Sequence, residues 1–278
     1  MATELSMLEQ IVAFASGFVI KPAYMIAMLV FVLIVGRNSE PDVRQLGAGT
    51  AVFLLGEVFC AADYLFAGGK NVALEWLHGL GMIAGSGILF LGFINTADRR
   101  VLFFSAPGRA CALTRFCGTC AKNTRTPCRF EHLFMFFSLS LAVVSCMPFA
   151  SPFIQIDRTV KVFGTDVCQN HPVFLQLFEM RIYPATAVVL FCASFLALLW
   201  IRNSPVGVAK YPFAFGLGFF SYGTFKYFLL AAYREAVVRA DFWEEVTELL
   251  LTAGLIIFVA LFRKRLLLKG SHETGEAA

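Results

Sequence analysis

Charge is scarce in this chain. Charged residues make up 15% of its 278 positions, against about 25% in an average soluble domain. The shortage excludes an ordinary water-soluble fold. Hydrophobic residues reach 58%, with 31 Phe, and one soluble core of this size cannot hide so much apolar surface. The first ten residues hold Glu4 and Glu9 and no basic residue. They lack the positive start of a cleaved secretory signal, so the first apolar stretch is expected to stay in the mature protein. Histidine is scarce too, with four in the chain. Only His78 falls inside an apolar run, with His132 at the edge of another. That excludes the paired histidines of a cytochrome b and the histidine-rich centre of a seven-helix membrane zinc hydrolase. The last apolar run has no lysine at its middle, which excludes a retinal protein. No internal repeat and no low-complexity segment is present.

What the chain has instead is apolar runs of about 20 residues, the length that crosses a hydrocarbon core. Seven occur, at approximately 11–36, 46–66, 74–97, 133–150, 183–201, 212–232 and 243–262. They predict an all-α polytopic membrane protein, one seven-helix transmembrane domain over 1–278. One set of connections carries Arg37 and Arg44, the basic stretch Arg99 to Arg129, Arg202 and Lys210, and then Arg263, Lys264, Arg265 and Lys269. The opposite set carries Lys70, Arg158, Lys161, Arg181, Arg234 and Arg239. The richer set belongs in the cytoplasm, with the N-terminus outside and the C-terminus inside. Seven spans alternate the two sets without conflict, and six or eight do not. The expected location is the cytoplasmic (inner) membrane of a bacterium. Two connections are long: a basic cytoplasmic loop at 98–132 and an outer segment at 151–182. In the latter, Ile154-Gln155-Ile156 and Val160-Lys161-Val162-Phe163 suit a small hairpin or an amphipathic lid. Val173 to Arg181 suits an outward extension of the fifth helix, with Pro184 as a kink.

Eight cysteines are present. Cys60, Cys146 and Cys192 stand singly in spans and read as small buried apolar side chains. Cys168 is alone in the outer segment, so no outer disulfide is expected. The other four, Cys111, Cys117, Cys120 and Cys128, follow the spacing C-x5-C-x2-C-x7-C. The central pair brings two thiolates to one metal centre, and Gly118 permits the tight turn. Four thiolates in a reducing compartment suit an iron–sulfur cluster, or alternatively a structural zinc. Arg115, Lys122, Arg125 and Arg129 would offset the thiolate charge, and His132 is a possible substitute ligand. The pattern is similar in rhythm to the iron–sulfur loop of some DNA glycosylases. That resemblance is confined to these residues and implies no shared fold.

Charges inside a membrane are costly and are functional candidates by default. At about 1.5 Å per helical residue, Lys21, Glu57, Lys226 and Glu248 fall at one depth, roughly 18–24 Å from the inner edge. They come from four different spans, and pairing among them would offset their cost. His78 lies somewhat farther out, one turn from Glu75. Asp63, Glu179, Arg181, Glu244 and Glu245 lie near the outer boundary. Glu75 and His78 have the E-x-x-H spacing of di-iron bundles, but those need two copies. The layer reads either as helix-locking ion pairs or as a polar cavity. As a cavity it would take a quinone head group, a metal ion or a small anion, with Glu57, His78 and Glu248 handling protons and Tyr24, Tyr222 and Tyr227 lining it.

Three functions fit this pattern. The first is a membrane redox protein, passing electrons between the cysteine-bound centre and a quinone or similar carrier, with a soluble or membrane redox partner. Phe103, Phe104, Phe130, Phe134 and Phe136 would place such a carrier near the inner face. The second is a transporter or ion-coupled channel with a zinc-stapled loop. The third is a structural or assembly subunit of a membrane complex. No nucleic-acid partner is expected.

Overall fold

A computed structural model describes residues 3–38, 40–103, 111–113, 129–155, 157–170, 172–201 and 205–266. Seven helices dominate it. They are α1 (Met7–Val35), α2 (Pro41–Ala67), α3 (Val72–Leu102), α4 (Phe130–Ala150) and α5 (Val173–Trp200). Then come α6, from Pro205 to Ala232, and α7 (Val237–Leu261). The first five are long and apolar enough to cross a membrane. The other two are long as well but carry more polar side chains, including Lys210 and Lys226 on α6 and Glu244, Glu245 and Glu248 on α7. The helices α4 and α6 begin a turn or two before the apolar runs at 133 and 212, because helical hydrogen bonding continues into the polar margin.

The bundle inverts the layout of a soluble protein. Ile11, Phe14, Phe18, Ile26, Leu29 and Leu33 of α1 are all exposed, while Glu57, Asp63, Glu75, His78 and Glu179 are buried. A contiguous apolar exterior has no stable place in water. It suits a lipid solvent, in which helices satisfy their own backbone groups. Cys146 and Cys192 belong to that exterior: both are exposed, so their apolar surroundings would be lipid and not a packed core.

Local sequence sets the helix ends. Ser6 accepts from Glu9 N while the Glu9 carboxylate accepts from Ser6 N, a capping box that starts α1. Gly68, at φ 62°, stops α2. Asn71 caps α3 by accepting from Ala73 N and Leu74 N, and its own N–H donates to Asp63 Oδ1 at 2.8 Å. The α2–α3 hairpin is therefore tied at its turn. Along its length the two backbones nearly touch. A Cβ at Gly49 would lie 2.3 Å from Leu89 N, and one at Gly85 would lie 2.4 Å from Phe53 N. Small residues at this seam let the helices gain dispersion and packing energy that lipid alone does not drive.

Several helices contain a π-helical turn. Two precede prolines: Ser16–Ile20 before Pro22, and Phe178–Ile182 before Pro184. Each proline lacks an N–H and crowds the carbonyl four residues back, which lies in the widened turn. A third π turn, Phe220–Phe225, ends at Lys226.

A small sheet lies at one end of the bundle. Strand β2 (Asp157–Val162) and strand β3 (Thr165–Asn170) form an antiparallel hairpin. Its two-residue turn, Phe163-Gly164, has positive φ at both positions, as the twist of a tight hairpin requires. Strand β1 (Thr3–Glu4) adds in parallel to β2, Thr3 beside Val160. At the opposite end, Asn38 Nδ2 donates to Leu266 O at 3.0 Å. There Arg100 binds Asp42 through Nε at 2.6 Å and reaches Glu40 at 3.0 Å. The two ends of the described chain thus lie at opposite ends of the bundle.

Candidate functional site

The buried charges gather where α1, α2, α3, α5, α6 and α7 meet, in two adjoining groups. The first is centred on Lys21, which leaves the π turn of α1. Its Nζ lies 2.5 Å from Glu57 Oε2 and 2.9 Å from Glu245 Oε1. The Tyr24 hydroxyl, one turn along α1, lies 2.8 Å from Glu57 Oε2 and 2.7 Å from Glu245 Oε2. Glu248 completes the group: one carboxylate oxygen from each of Glu57, Glu245 and Glu248 lies within 4.8 Å of the others. Glu245 and Glu248 share a face of α7 because they are three residues apart.

The second group is centred on Lys226. Its ammonium faces Glu179 at 3.5 Å and Glu244 at 3.9 Å, and sits 4.8 Å from the centre of the Tyr222 ring. The Tyr222 hydroxyl donates to Glu179 Oε1 at 3.3 Å. His78 packs edge-on to Tyr222, and its Nδ1 donates to Gly56 O at 3.0 Å. Gly56 adjoins Glu57 in α2, so this bond fixes the imidazole ring next to the segment that carries Glu57. Glu75 is buried beside this group.

Between α3, α6 and α7 lies a half-open cavity of about 190 Å³. Lys226, Glu244 and Glu248 line its charged side. Phe53, Phe90, Phe225 and Leu251 line its apolar side. Glu248 therefore belongs both to the carboxylate triad and to the cavity wall.

Known families, curated proteins and solved structures offer no match to this chain. The site has to be read from its own geometry.

Of the four residues expected to share a layer, Lys21 and Glu57 make a direct pair, with Glu248 beside them. Lys226 departs from the expectation. Its ion-pair partners are Glu179 and Glu244, not Glu57, and it meets Glu248 only across the cavity. The reason is level: Lys226 lies six residues before the end of α6 and Glu244 seven residues after the start of α7, so the two meet near the same end of the bundle. Glu179 and Glu245 were assigned to the outer boundary by depth alone, and both prove to be ion-pair partners. The E-x-x-E step of Glu245 and Glu248 was the sequence signal that could have found the second.

Cys117, Cys120 and Cys128 lie outside the described residues, as does Phe104. Cys111 is buried just past α3, where Ala112 N donates to Leu102 O at 2.8 Å. Among the described aromatic residues proposed for the inner face, Phe134 and Phe136 face different ways. Phe134 is buried against Phe213, whereas Phe136 is exposed.

Proposed function

We propose that the chain is a seven-span protein of the cytoplasmic membrane, N-terminus outside, that couples a proton held by Glu57, Tyr24 and Glu245 to a small ligand in the neighbouring cavity. The activity class is proton-coupled transport. One observation carries the reading. The Tyr24 hydroxyl owns a single proton, yet it stands at hydrogen-bond distance from two carboxylate oxygens, 2.8 Å and 2.7 Å away. It donates fully to one of them at a time, and a proton on a carboxyl group would turn the second contact into a full hydrogen bond as well. Charge accounting agrees: Lys21 is one cation among Glu57, Glu245 and Glu248, and a surplus carboxylate in a membrane interior is costly. Glu248 supplies the coupling. A cation entering the cavity beside Glu248 competes with the proton for the same negative field, so each weakens the other's hold.

The seven-span reading draws support from the placement of β1 and Leu266 at opposite ends of the bundle, which needs an odd number of crossings, and from the Lys and Arg asymmetry. Labelling from outside that modifies Cys117 and a C-terminal reporter found outside would each overturn it.

The proton is tested by infrared spectroscopy of the purified full chain. A protonated-carboxyl C=O band is expected at pH 7, lost in Glu245→Gln and shifted in Tyr24→Phe. Absence of any such band in the unaltered protein removes the reading.

A second reading is favoured by the cysteine spacing: membrane electron transfer through an iron–sulfur centre on Cys111, Cys117, Cys120 and Cys128, with the cavity taking a quinone head group. Iron and broad visible absorbance in protein purified without oxygen would select it. Zinc in a colourless sample would leave the loop a structural staple.

A further inference from the structure

The cavity beside Glu248 offers hydrogen-bond acceptors, and apart from the Ser86 hydroxyl its donors face other partners. Lys226 directs its ammonium at Glu179, Glu244 and the Tyr222 ring, and the Tyr222 hydroxyl donates to Glu179. Ser221 donates to Gly218 O at 2.9 Å, and Thr247 donates to Glu244 O at 2.7 Å. Both hydroxyls therefore present only lone pairs to the space. Against these spent donors stands one unmet acceptor: Glu248 Oε2 is buried and has no hydrogen-bond partner among the described residues. A buried carboxylate oxygen left unpaired is among the more expensive features a fold can retain, and its residue lines the cavity.

We propose that this cavity binds a small organic cation, a protonated amine on an apolar body, with Glu248 as its counter-ion. The proposal names the ligand class for the proton-coupled reading above and rests on it for its transport role. An ammonium group brings the donors that Glu248, Ser221 and Thr247 lack, and its charge balances the carboxylate. The rings of Phe53, Phe90 and Phe225 suit both an apolar body and a nearby positive charge. Size fits as well. An apolar cavity of about 150 Å³ accepts benzene, so about 190 Å³ accepts a phenyl ring with a short aminoalkyl arm. An anion is disfavoured, because Lys226 is already neutralised and Glu248 would repel it.

The test uses the full chain in lipid nanodiscs and three probes of one shape: phenethylamine, phenethyl alcohol and phenylacetate. Calorimetry should show the amine binding about 10- to 100-fold more tightly than either analogue, the range for a charge-assisted hydrogen bond. Glu248→Gln should lose that preference. Ser86→Leu, which fills the space and leaves the counter-ion in place, should weaken all three probes. Equal binding of the three, preference for the acid, no binding of the amine, or an unchanged preference in Glu248→Gln each overturns the proposal. The carboxyl band separates the two claims. A band without amine binding removes the ligand and keeps the proton. Amine binding without a band removes the coupling and keeps the site.

Discussion

Replacing Lys21 with Met removes the cation that pairs with both Glu57 and Glu245. Glu57 is 1% exposed and cannot turn to water. Removing one partner of a buried pair costs about 3–5 kcal/mol. An upper limit comes from the escape route: Glu57 can take up a proton, which for an ordinary glutamate at pH 7 costs about 3.7 kcal/mol. The two figures agree, so a loss of roughly 3–4 kcal/mol is expected. For a chain of this size that corresponds to roughly 6–16 °C in melting temperature. The sign with pH is fixed by the same route. Each unit of acidification makes the proton cheaper by about 1.4 kcal/mol, so the defect should shrink from pH 7 to pH 5.5. The double variant Lys21→Met, Glu57→Gln leaves no stranded charge in the pair and should lose less than Lys21→Met alone. The assay is thermal unfolding in detergent of the four proteins at both pH values. A Lys21→Met melting point within about 2 °C of the unaltered protein would refute the reasoning, as would a defect indifferent to pH or strictly additive losses.

Three further outcomes are expected. A double-mutant cycle on Lys226→Met and Glu179→Gln should show coupling of about 0.5–3 kcal/mol, larger than the cycle of Lys226→Met with Glu57→Gln, and the reverse order would contradict the observed pairing. Gly85→Leu should destabilise the bundle by more than about 3 kcal/mol, because its Cβ would sit 2.4 Å from the Phe53 backbone nitrogen; Gly17→Leu, with open space around it, serves as the control, and equal melting points would sink the seam. Arg100→Gln should cost about 3–5 kcal/mol because it strands buried Asp42, and Asp42→Asn should relieve part of that loss in the same melt.

Much of the architecture was legible in the sequence because its signal is compositional. Runs of about 20 apolar residues mark helices whatever their neighbours are. The alternation at Val160 to Val162 marked one strand of the hairpin, but not its partner, Thr165–Asn170, and Phe163 falls in the turn. The pairing of charges was legible only in part. Lys21 and Glu57 meet because their levels match and their helices are adjacent. Lys226 was matched by level alone, and level says nothing of which way a helix is rotated or how far a lysine extends. Glu245 was passed over beside Glu244, although the two point to different partners, Lys21 and Lys226. The close α2–α3 seam was also missed. Its glycines recur at seven-residue steps, Gly49 to Gly56 and Gly85 to Gly92, a pattern visible only when small residues are sought as contacts.

Lys21 joins partners from opposite ends of the chain, 36 residues away at Glu57 and 224 away at Glu245. A ribosome makes the N-terminal part first. The α1–α2 hairpin can therefore enter the bilayer already neutral, its lysine matched by Glu57 before the rest exists. Glu245 arrives last and joins a lysine that Glu57 already faces, so on the proposed reading it brings in the negative charge that a proton answers. On this order of events the proton proposed for the site would be a product of assembly, taken up when the final helix docks.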